Sequence, residues 1–351
     1  MGFIKRSLDI PVFLEIGEKT SYEVPAIVSR WNLKFWKILV LDDDITRELA
    51  GLRILRDFVS DGASCQEVVV SDSTHEEVEK IRKIFHEGLF DLVVSVGGGK
   101  VIDVGKMVAY MENTNFISIP TVPSNDSISS PIAVITHDGH KRSLGAKMPT
   151  GVIVDLTIIK DAPIRYIKSG ISDVISNLSA VSDWILAHEM GKDRYDTFAA
   201  MISESSALNL LGAADNDIKD PEFLQVLLKG LILSGIAMGV AGTSRPSSGS
   251  EHEISHAIDA LYPNRALHGE QVGVASLFTM YLQKNPHYEK VRKLFEKLDL
   301  PRKTEHINVS RKEFVESVIY APRTRPGRYT ILEHLDLKPQ EIERILEKLD
   351  L

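Results

Sequence analysis

Between residues 37 and 155, short runs rich in Val, Ile and Leu alternate with amphipathic helical patterns, and then the strand signal stops. That alternation is the mark of a parallel sheet covered by helices. Strands are expected at 37–41, 66–70, 91–96, 116–119, 132–136 and 152–155. Helical patterns are expected at 45–59, at 74–85 behind a Thr74/Glu77 capping-box spacing, and after Gly99. From residue 164 onward apolar residues recur at helical spacing, predicting helices at 171–190, 199–211, 222–240, 252–261, 272–283, 311–319 and 339–349. The expected architecture is an α/β nucleotide-binding domain with a Rossmann-like parallel sheet over residues 1–160. An all-helical metal- and substrate-binding domain over 161–351 follows it. Clefts between such halves favour cofactors and substrates.

Composition narrows the function classes. The 351 residues carry 49 acidic against 41 basic side chains, a formal charge of −8, which argues against a general nucleic-acid surface. The single cysteine, Cys65, rules out an internal disulfide and reads as a small apolar filler. Residues 1–9 lack the apolar core of a signal peptide, and Gly2 alone does not make a myristoylation site. The apolar stretch 231–242 is too short and glycine-rich to span a bilayer, so no membrane insertion is expected and a cytoplasmic enzyme is the default.

Four segments carry chemistry. Gly97, Gly98 and Gly99 lie between a strand and a helix, followed by Lys100, Val101, Ile102 and Asp103. Glycines admit close backbone approach, and helix N-terminal N–H groups favour a pyrophosphate. The bland alternative is a tight strand-to-helix turn. A loop rich in proline and serine, 120–131, places Asp126 among hydroxyls at a strand end, where open parallel sheets bind ligands. Asp173 reads as a residue near a helix start, favoured there by the helix dipole. His252 and His256, four apart, share one helix face and can meet one metal or one substrate. The run from His252 through Glu253 to His256 also matches the H-E-x-x-H zinc-protease pattern. His268 opens the next helical segment. Imidazole nitrogens and a carboxylate together suit zinc or iron(II), leaving a position for substrate or water. Asp42, Asp43 and Asp44, closing the 37–41 strand, could accept from ribose hydroxyls and favour NAD over NADP. Met238, Met280, Trp31, Trp36 and Trp184 read as packing residues, and the basic loop 323–328 as solvated, with phosphate contact as the lesser alternative.

The order G-G-G-K-x-x-D, P-T-x-P-S-x-D-x-x-x-S-P, G-x-x-D, H-x-x-x-H and H-G-E resembles a known superfamily. Its members are the glycerol dehydrogenases, iron-containing alcohol dehydrogenases and dehydroquinate synthases. Within it, residues 121–131 and 249–252 look most like the sn-glycerol-1-phosphate dehydrogenases. The resemblance covers nearly the whole chain and implies a dehydroquinate synthase-like fold. It implies that residues 97–103 hold the pyrophosphate of NAD(H) or NADP(H), with Thr121, Val122, Pro123, Ser124 and Ser130 around the nicotinamide. It also implies one divalent metal, zinc, on Asp173, His252 and His268, with Asp126, Asp173 and His256 contacting substrate. Asp126 and His256 would be the catalytic pair. The activity implied is metal-dependent reduction of a small phosphorylated triose, dihydroxyacetone phosphate, to sn-glycerol 1-phosphate for archaeal-type membrane lipids. A homo-oligomer is compatible with this reading. Plain glycerol dehydrogenase and a dehydroquinate synthase-like lyase are the rivals inside the fold, and a non-catalytic nucleotide sensor is the rival outside it. Such a sensor need not keep Asp173, His252 and His268 together. Lys147, Arg142 and Arg245 are the candidate phosphate partners.

Overall fold

The computed structural model describes residues 10–213 and 217–351; residues 1–9, and with them the reading of the N-terminal segment and Gly2, lie outside the described residues. Strands β1 (Phe13–Gly17), β2 (Lys37–Asp42), β3 (Ser64–Val69), β4 (Leu92–Gly97), β5 (Asn115–Pro120) and β8 (Gly151–Asp155) form one six-stranded parallel sheet in the order β1-β8-β5-β4-β2-β3. The strand expected at 132–136 is instead half of a separate antiparallel hairpin, β6 (Ile132–His137) with β7 (His140–Gly145). Its turn is Asp138-Gly139, both at positive φ, the dipeptide that a two-residue hairpin turn prefers.

Successive residues of the central strands enter different cores because strand side chains alternate between faces. Ile38, Val40, Val94 and Ile117 pack with α1 (Val24–Arg30) and α3 (Leu52–Ser60). Leu39, Leu41, Val93 and Phe116 pack on the other face with α4 (His75–Gly88) and α5 (Gly99–Met111). Burial on both faces explains why these strands read as nearly continuous apolar runs. The helix expected at 45–59 is interrupted: α2 (Asp44–Thr46) and a wide π turn, Arg47–Gly51, precede α3. The wide turn seats Gly51 on Asp42, where a Cβ would lie 2.1 Å from Oδ2.

After α6 (Leu156–Asp161) the chain is helical. It forms α7 (Ile164–Glu189), α8 (Thr197–Gly212), α9 (Pro221–Ala241), α10 (Ser250–Leu261) and α11 (His268–Leu282). Then come α12 (Tyr288–Lys297), α13 (Arg311–Tyr320), α14 (Ile331–Leu335) and α15 (Pro339–Leu349). The core on the α4/α5 face of the sheet continues into these helices without a break. Asn177 Nδ2 on α7 donates to Ser206 Oγ on α8 at 2.9 Å and to Ser234 Oγ on α9 at 2.7 Å, so the buried amide fixes how the three pack. Helix α9 extends well beyond the 231–242 stretch and is long and apolar enough to cross a bilayer, but 67% of its most apolar window is buried inside the protein.

Candidate active site

The glycine turn lies at the C-terminal end of the sheet, one strand from where the chain reverses its direction of growth: β3 lies on one side of β2 and β4 on the other. Such switch points form the ligand crevice of open parallel sheets. Gly97 ends β4, and its missing side chain lets Val101 approach; a Cβ would lie 2.8 Å from Val101 Cβ. Gly98 caps α5 with no side chain folding back on the helix end, so the first-turn N–H groups keep their anion-binding capacity. Gly99 and Lys100 line a cavity of about 230 Å3. Val101 and Ile102 are fully buried and do not line that cavity.

The 120–131 loop is the opposite lip of that turn. Thr121 N–H donates to Gly97 O at 3.1 Å, and Asn125 Oδ1 accepts from Ser127 N–H, starting a 3-10 turn over Asp126–Ile128. Two glycines let helices close on this loop. A Cβ on Gly170 of α7 would lie 1.9 Å from Pro123 O, and one on Gly235 of α9 would lie 2.2 Å from Ser129 Oγ. Ser169 Oγ donates to Ser124 O, and Ser129 Oγ donates to Leu231 and Ile232 carbonyls. Asp126, Ser127 and Ser130 face the cavity, and Ser127 Oγ is buried without a hydrogen-bond partner.

Three ligand-type side chains converge on the helical wall of the cavity. Oδ1 of Asp173 is 4.0 Å from His252 Nε2 and 3.8 Å from His268 Nε2, and the ligand atoms of all three lie within 4.8 Å of one another. Asp173 is not near a helix start: α7 begins at Ile164, after Pro163, so Asp173 lies well inside it and the dipole explanation fails. Its other oxygen, Oδ2, accepts from Asp126 N–H at 2.9 Å. Burial, with the Asp126 and Glu251 charges, holds the Asp173 carboxyl well above the usual range. Burial, together with Arg325 and Arg328, lowers His252 to about 3; burial and the His252 charge lower His268 to about 3. Both imidazoles are therefore neutral, the ligating form.

The atoms behind these rings complete the donor set. Glu251 Oε1 lies 2.9 Å from His252 Nδ1, and Ser255 Oγ 3.2 Å from His268 Nδ1. Each leaves Nε2 turned toward Asp173, the carboxylate–histidine arrangement that orients ligating imidazoles. A buried carboxylate held above its normal pKa beside two neutral imidazoles is the environment a divalent cation relieves. The residues fit a metal.

His256, one turn along α10, is also in the cavity wall, with its ring centroid 6.3 Å from that of His268. Its Nε2 is 3.0 Å from Arg325 Nη2; because arginine only donates, Nε2 accepts and the ring proton sits on Nδ1. Burial and the Arg325 charge push His256 well below its ordinary value. Asp126 is pushed up to about 7 by burial, against the pull of Lys106 and with the push of Asp103.

Other residues have assignments that sequence spacing does not reveal. Lys106 is fully buried, 2.9 Å from Asp103 Oδ1, and also donates to Ile132 O. Asp103 in turn accepts from Val134 N–H, tying α5 to the β6–β7 hairpin. The three-residue spacing of Asp103 and Lys106 is its only trace in the sequence. The loop expected to be solvated is so only in part: Arg323, Pro326 and Gly327 are exposed, whereas Arg325 lines the cavity and Arg328 donates to Ser248 O and to Ser244 Oγ. Of the candidate phosphate partners, Arg245 is only 4% exposed and bound to Asp193 at 2.7 Å, and Arg142 is exposed on β7. Near the expected adenosine end, Asp42 is buried and pushed up to about 8 by burial and Glu67, while Asp43 Oδ1 caps α2.

Residues 15–163 match the iron-containing alcohol dehydrogenase family. Among solved structures, a probable glycerol dehydrogenase from Sinorhizobium meliloti superposes with a TM-score of 0.79 at 20% identity, covering 99% of this chain and 98% of that one. Maleylacetate reductase from Agrobacterium tumefaciens superposes at 0.76 with 16% identity, covering 99% and 98%. These share the fold. Glycerol-1-phosphate dehydrogenase [NAD(P)+] of Archaeoglobus fulgidus is 35% identical, covering 98% of both chains. That of Methanosphaera stadtmanae is 38% identical over 89% of both. With a parallel sheet, a helical half and an Asp/His/His group in the crevice between them, the chain belongs to the glycerol-1-phosphate dehydrogenase family.

Proposed function

We infer that this chain is an NAD(P)H-linked oxidoreductase that reduces dihydroxyacetone phosphate to sn-glycerol 1-phosphate with a bound divalent metal, zinc. The observation that carries the reading is the convergence of Asp173, His252 and His268 on a cavity whose other wall is the uncapped N-terminus of α5. In this reading a pyrophosphate site and a metal site would face each other across the cavity. The named activity of relatives that cover nearly the full chain supports the same reading.

In this reading the sheet half, residues 1–160, holds the nucleotide and the helical half, residues 161–351, holds metal and substrate. Gly97, Gly98 and Gly99 with the α5 N–H groups would take the pyrophosphate, Lys100 adding charge and Asp103 holding the adjoining hairpin. Thr121, Val122, Pro123, Ser124 and Ser130 would surround the nicotinamide. Asp173, His252 and His268 would hold the metal, which when bound supplies Lewis-acid polarisation of a carbonyl. Asp126 and His256 would orient the substrate hydroxyl and its neighbours, and the clamped 120–131 loop would exclude water from the reacting carbon. The nucleotide when bound would supply the hydride for the carbonyl carbon, and His256 or water would deliver the proton to the oxygen, so that the ketone becomes a secondary alcohol. The product would enter archaeal-type membrane lipids.

NADH or NADPH oxidation by purified, metal-loaded protein tests this, with dihydroxyacetone phosphate set against dihydroxyacetone. Preference for the phosphorylated triose and formation of the sn-1 enantiomer are expected. Equal kcat/KM on both substrates would favour a glycerol dehydrogenase instead. Comparing kcat/KM for NADH and NADPH then tests the NAD preference, which falls to Asp43 and Asp44 once Asp42 is buried.

A further inference from the structure

We propose that Arg325, backed by Arg328 and joined by the Ser248 hydroxyl, is the site that reads the substrate's phosphate group. The proposal rests on the triose phosphate reading above and identifies the residues that would make it specific.

The argument is one of uncompensated charge. Other cations near the cavity already have carboxylate partners: Lys106 with Asp103 at 2.9 Å, Lys141 with Asp259 at 3.2 Å, and Arg245 with Asp193 at 2.7 Å. Among the described residues, neither Arg325 nor Arg328 has a carboxylate at ion-pairing distance. Their hydrogen-bond partners are neutral: Ser244 Oγ accepts from Nη1 of Arg325 at 2.9 Å and from Nη2 of Arg328 at 2.8 Å, and the remaining bonds go to His256 Nε2 and Ser248 O. Two half-buried guanidinium groups thus meet at one serine hydroxyl, with Arg245 beside them. Burial and mutual repulsion pull Arg328 down to about 9, and burial lowers Arg325. Glu251 and Glu253 act on both arginines only from beyond ion-pairing distance, so neither guanidinium has a direct anionic partner, and a dianion is the ligand that would supply one to both.

Position selects the same group. Arg325 borders the cavity lined by His252 and His268 and also a second cavity of about 270 Å3 lined by Arg245 and Arg328. Its hydrogen bond to His256 sets it beside, not on, the Asp173/His252/His268 group. In a triose phosphate the phosphorus is three bonds from the carbonyl carbon, so a carbonyl at that group leaves the phosphate to reach the neighbouring wall. Ser248 is in that wall, only 4% exposed, with a hydroxyl that has no hydrogen-bond partner. A buried hydroxyl facing a cavity unpaired is an empty donor position. The arginine loop is pinned to α10 where Thr324 Oγ1 donates to Glu253 O at 3.5 Å, so the arginines are held at a fixed place relative to the helix that carries His252.

The test is the ratio of kcat/KM for dihydroxyacetone phosphate to that for dihydroxyacetone, in wild type, Arg325→Gln and Ser248→Ala. For Arg325→Gln a loss on the order of 10²-fold is expected on the phosphorylated substrate. A loss below about 10-fold is expected on the plain triose, through the disturbed His256, so the ratio collapses. Added guanidinium should restore part of the phosphorylated activity in Arg325→Gln, and inorganic phosphate should compete with the substrate in wild type more strongly than in the variant. Equal losses on both substrates overturn the assignment. If Arg325→Gln fails to fold, Ser248→Ala decides: a several-fold lower ratio supports the site, and an unchanged ratio overturns it. A wild type that does not distinguish the two substrates would instead sink the triose phosphate reading itself.

Discussion

The backbone N–H of Asp126 donates to Oδ2 of Asp173 at 2.9 Å, joining the loop after β5 to the middle of α7. One oxygen of the Asp173 carboxylate is thereby held by the sheet half, while Oδ1 is left for His252 and His268. This carboxyl group is one of the points where the two halves meet, beside the Ser169–Ser124 and Ser129–Leu231 hydrogen bonds.

Replacing any member of that group should remove the metal and the chemistry together. Asp173→Asn, His252→Ala and His268→Ala are each expected to lower kcat/KM on the order of 10³-fold or more. Elemental analysis of the purified variants should find substoichiometric zinc. Stoichiometric metal in both histidine variants would refute the ligand assignment.

Glu251 touches no ligand position but faces His252 Nδ1 at 2.9 Å. Glu251→Gln should leave the fold and the three ligands in place while weakening metal affinity about 10- to 100-fold. Competition with a chelator of known affinity measures this directly, and an unchanged dissociation constant would show that Glu251 does not orient the ring.

Gly170 is expected to tolerate nothing larger. Its Cβ would enter the Pro123 carbonyl at 1.9 Å, a backbone atom that cannot rotate aside. Gly170→Ala should cost about 1–3 kcal/mol of stability by overpacking, less any gain in helix propensity, and shift the 120–131 loop away from α7. Denaturant unfolding reads the first effect and KM for the nucleotide the second. Wild-type stability with wild-type KM would contradict the close packing of loop and helix.

Asp155 anchors the sheet edge far from the cavity. Burial would raise its pKa, but hydrogen bonds from Ser21, Thr157 and Lys19 outweigh that and leave it below its ordinary value. A depressed folded pKa contributes stability above the unfolded value of about 4, and that contribution fades as pH falls through the folded value. Asp155→Asn should therefore cost about 2–3 kcal/mol at neutral pH and progressively less below about pH 4. Urea midpoints across that range test it; a difference that grows with acidity has the wrong sign.

Much of the fold is legible because both of its periodicities are local. The central strands are buried on two faces and read as apolar runs, and α15 falls on the residues its spacing predicts. β1 escapes because an edge strand of five residues, exposed at Leu14, has no continuous apolar run. The start of α7 is hidden for another reason: Ser169-Gly170 looks like a helix start, yet Gly170 is there to admit Pro123, so packing between distant segments overrides the local signal. The histidine pair on α10 is visible through its four-residue spacing. Arg325 is not, because it meets His256 only through a contact 69 residues away in sequence, and no pattern within its own loop encodes that.

Helix α9 has a consequence beyond catalysis. It is the segment that, taken alone, has the length and apolarity of a bilayer span, and it is kept from that fate by α7, α8 and the loop carrying Ser129 before it and by the 245–247 turn after it. Those partners come from both sides of it in the chain and from both halves of the fold. A nascent or heat-loosened molecule in which they have not closed displays a greasy rod to chaperones, lipids and other copies of itself. Substitutions that loosen the 120–131 loop should then cost the cell soluble protein as well as turnover, so that yield at elevated temperature becomes a readout of how well the active-site loop is seated.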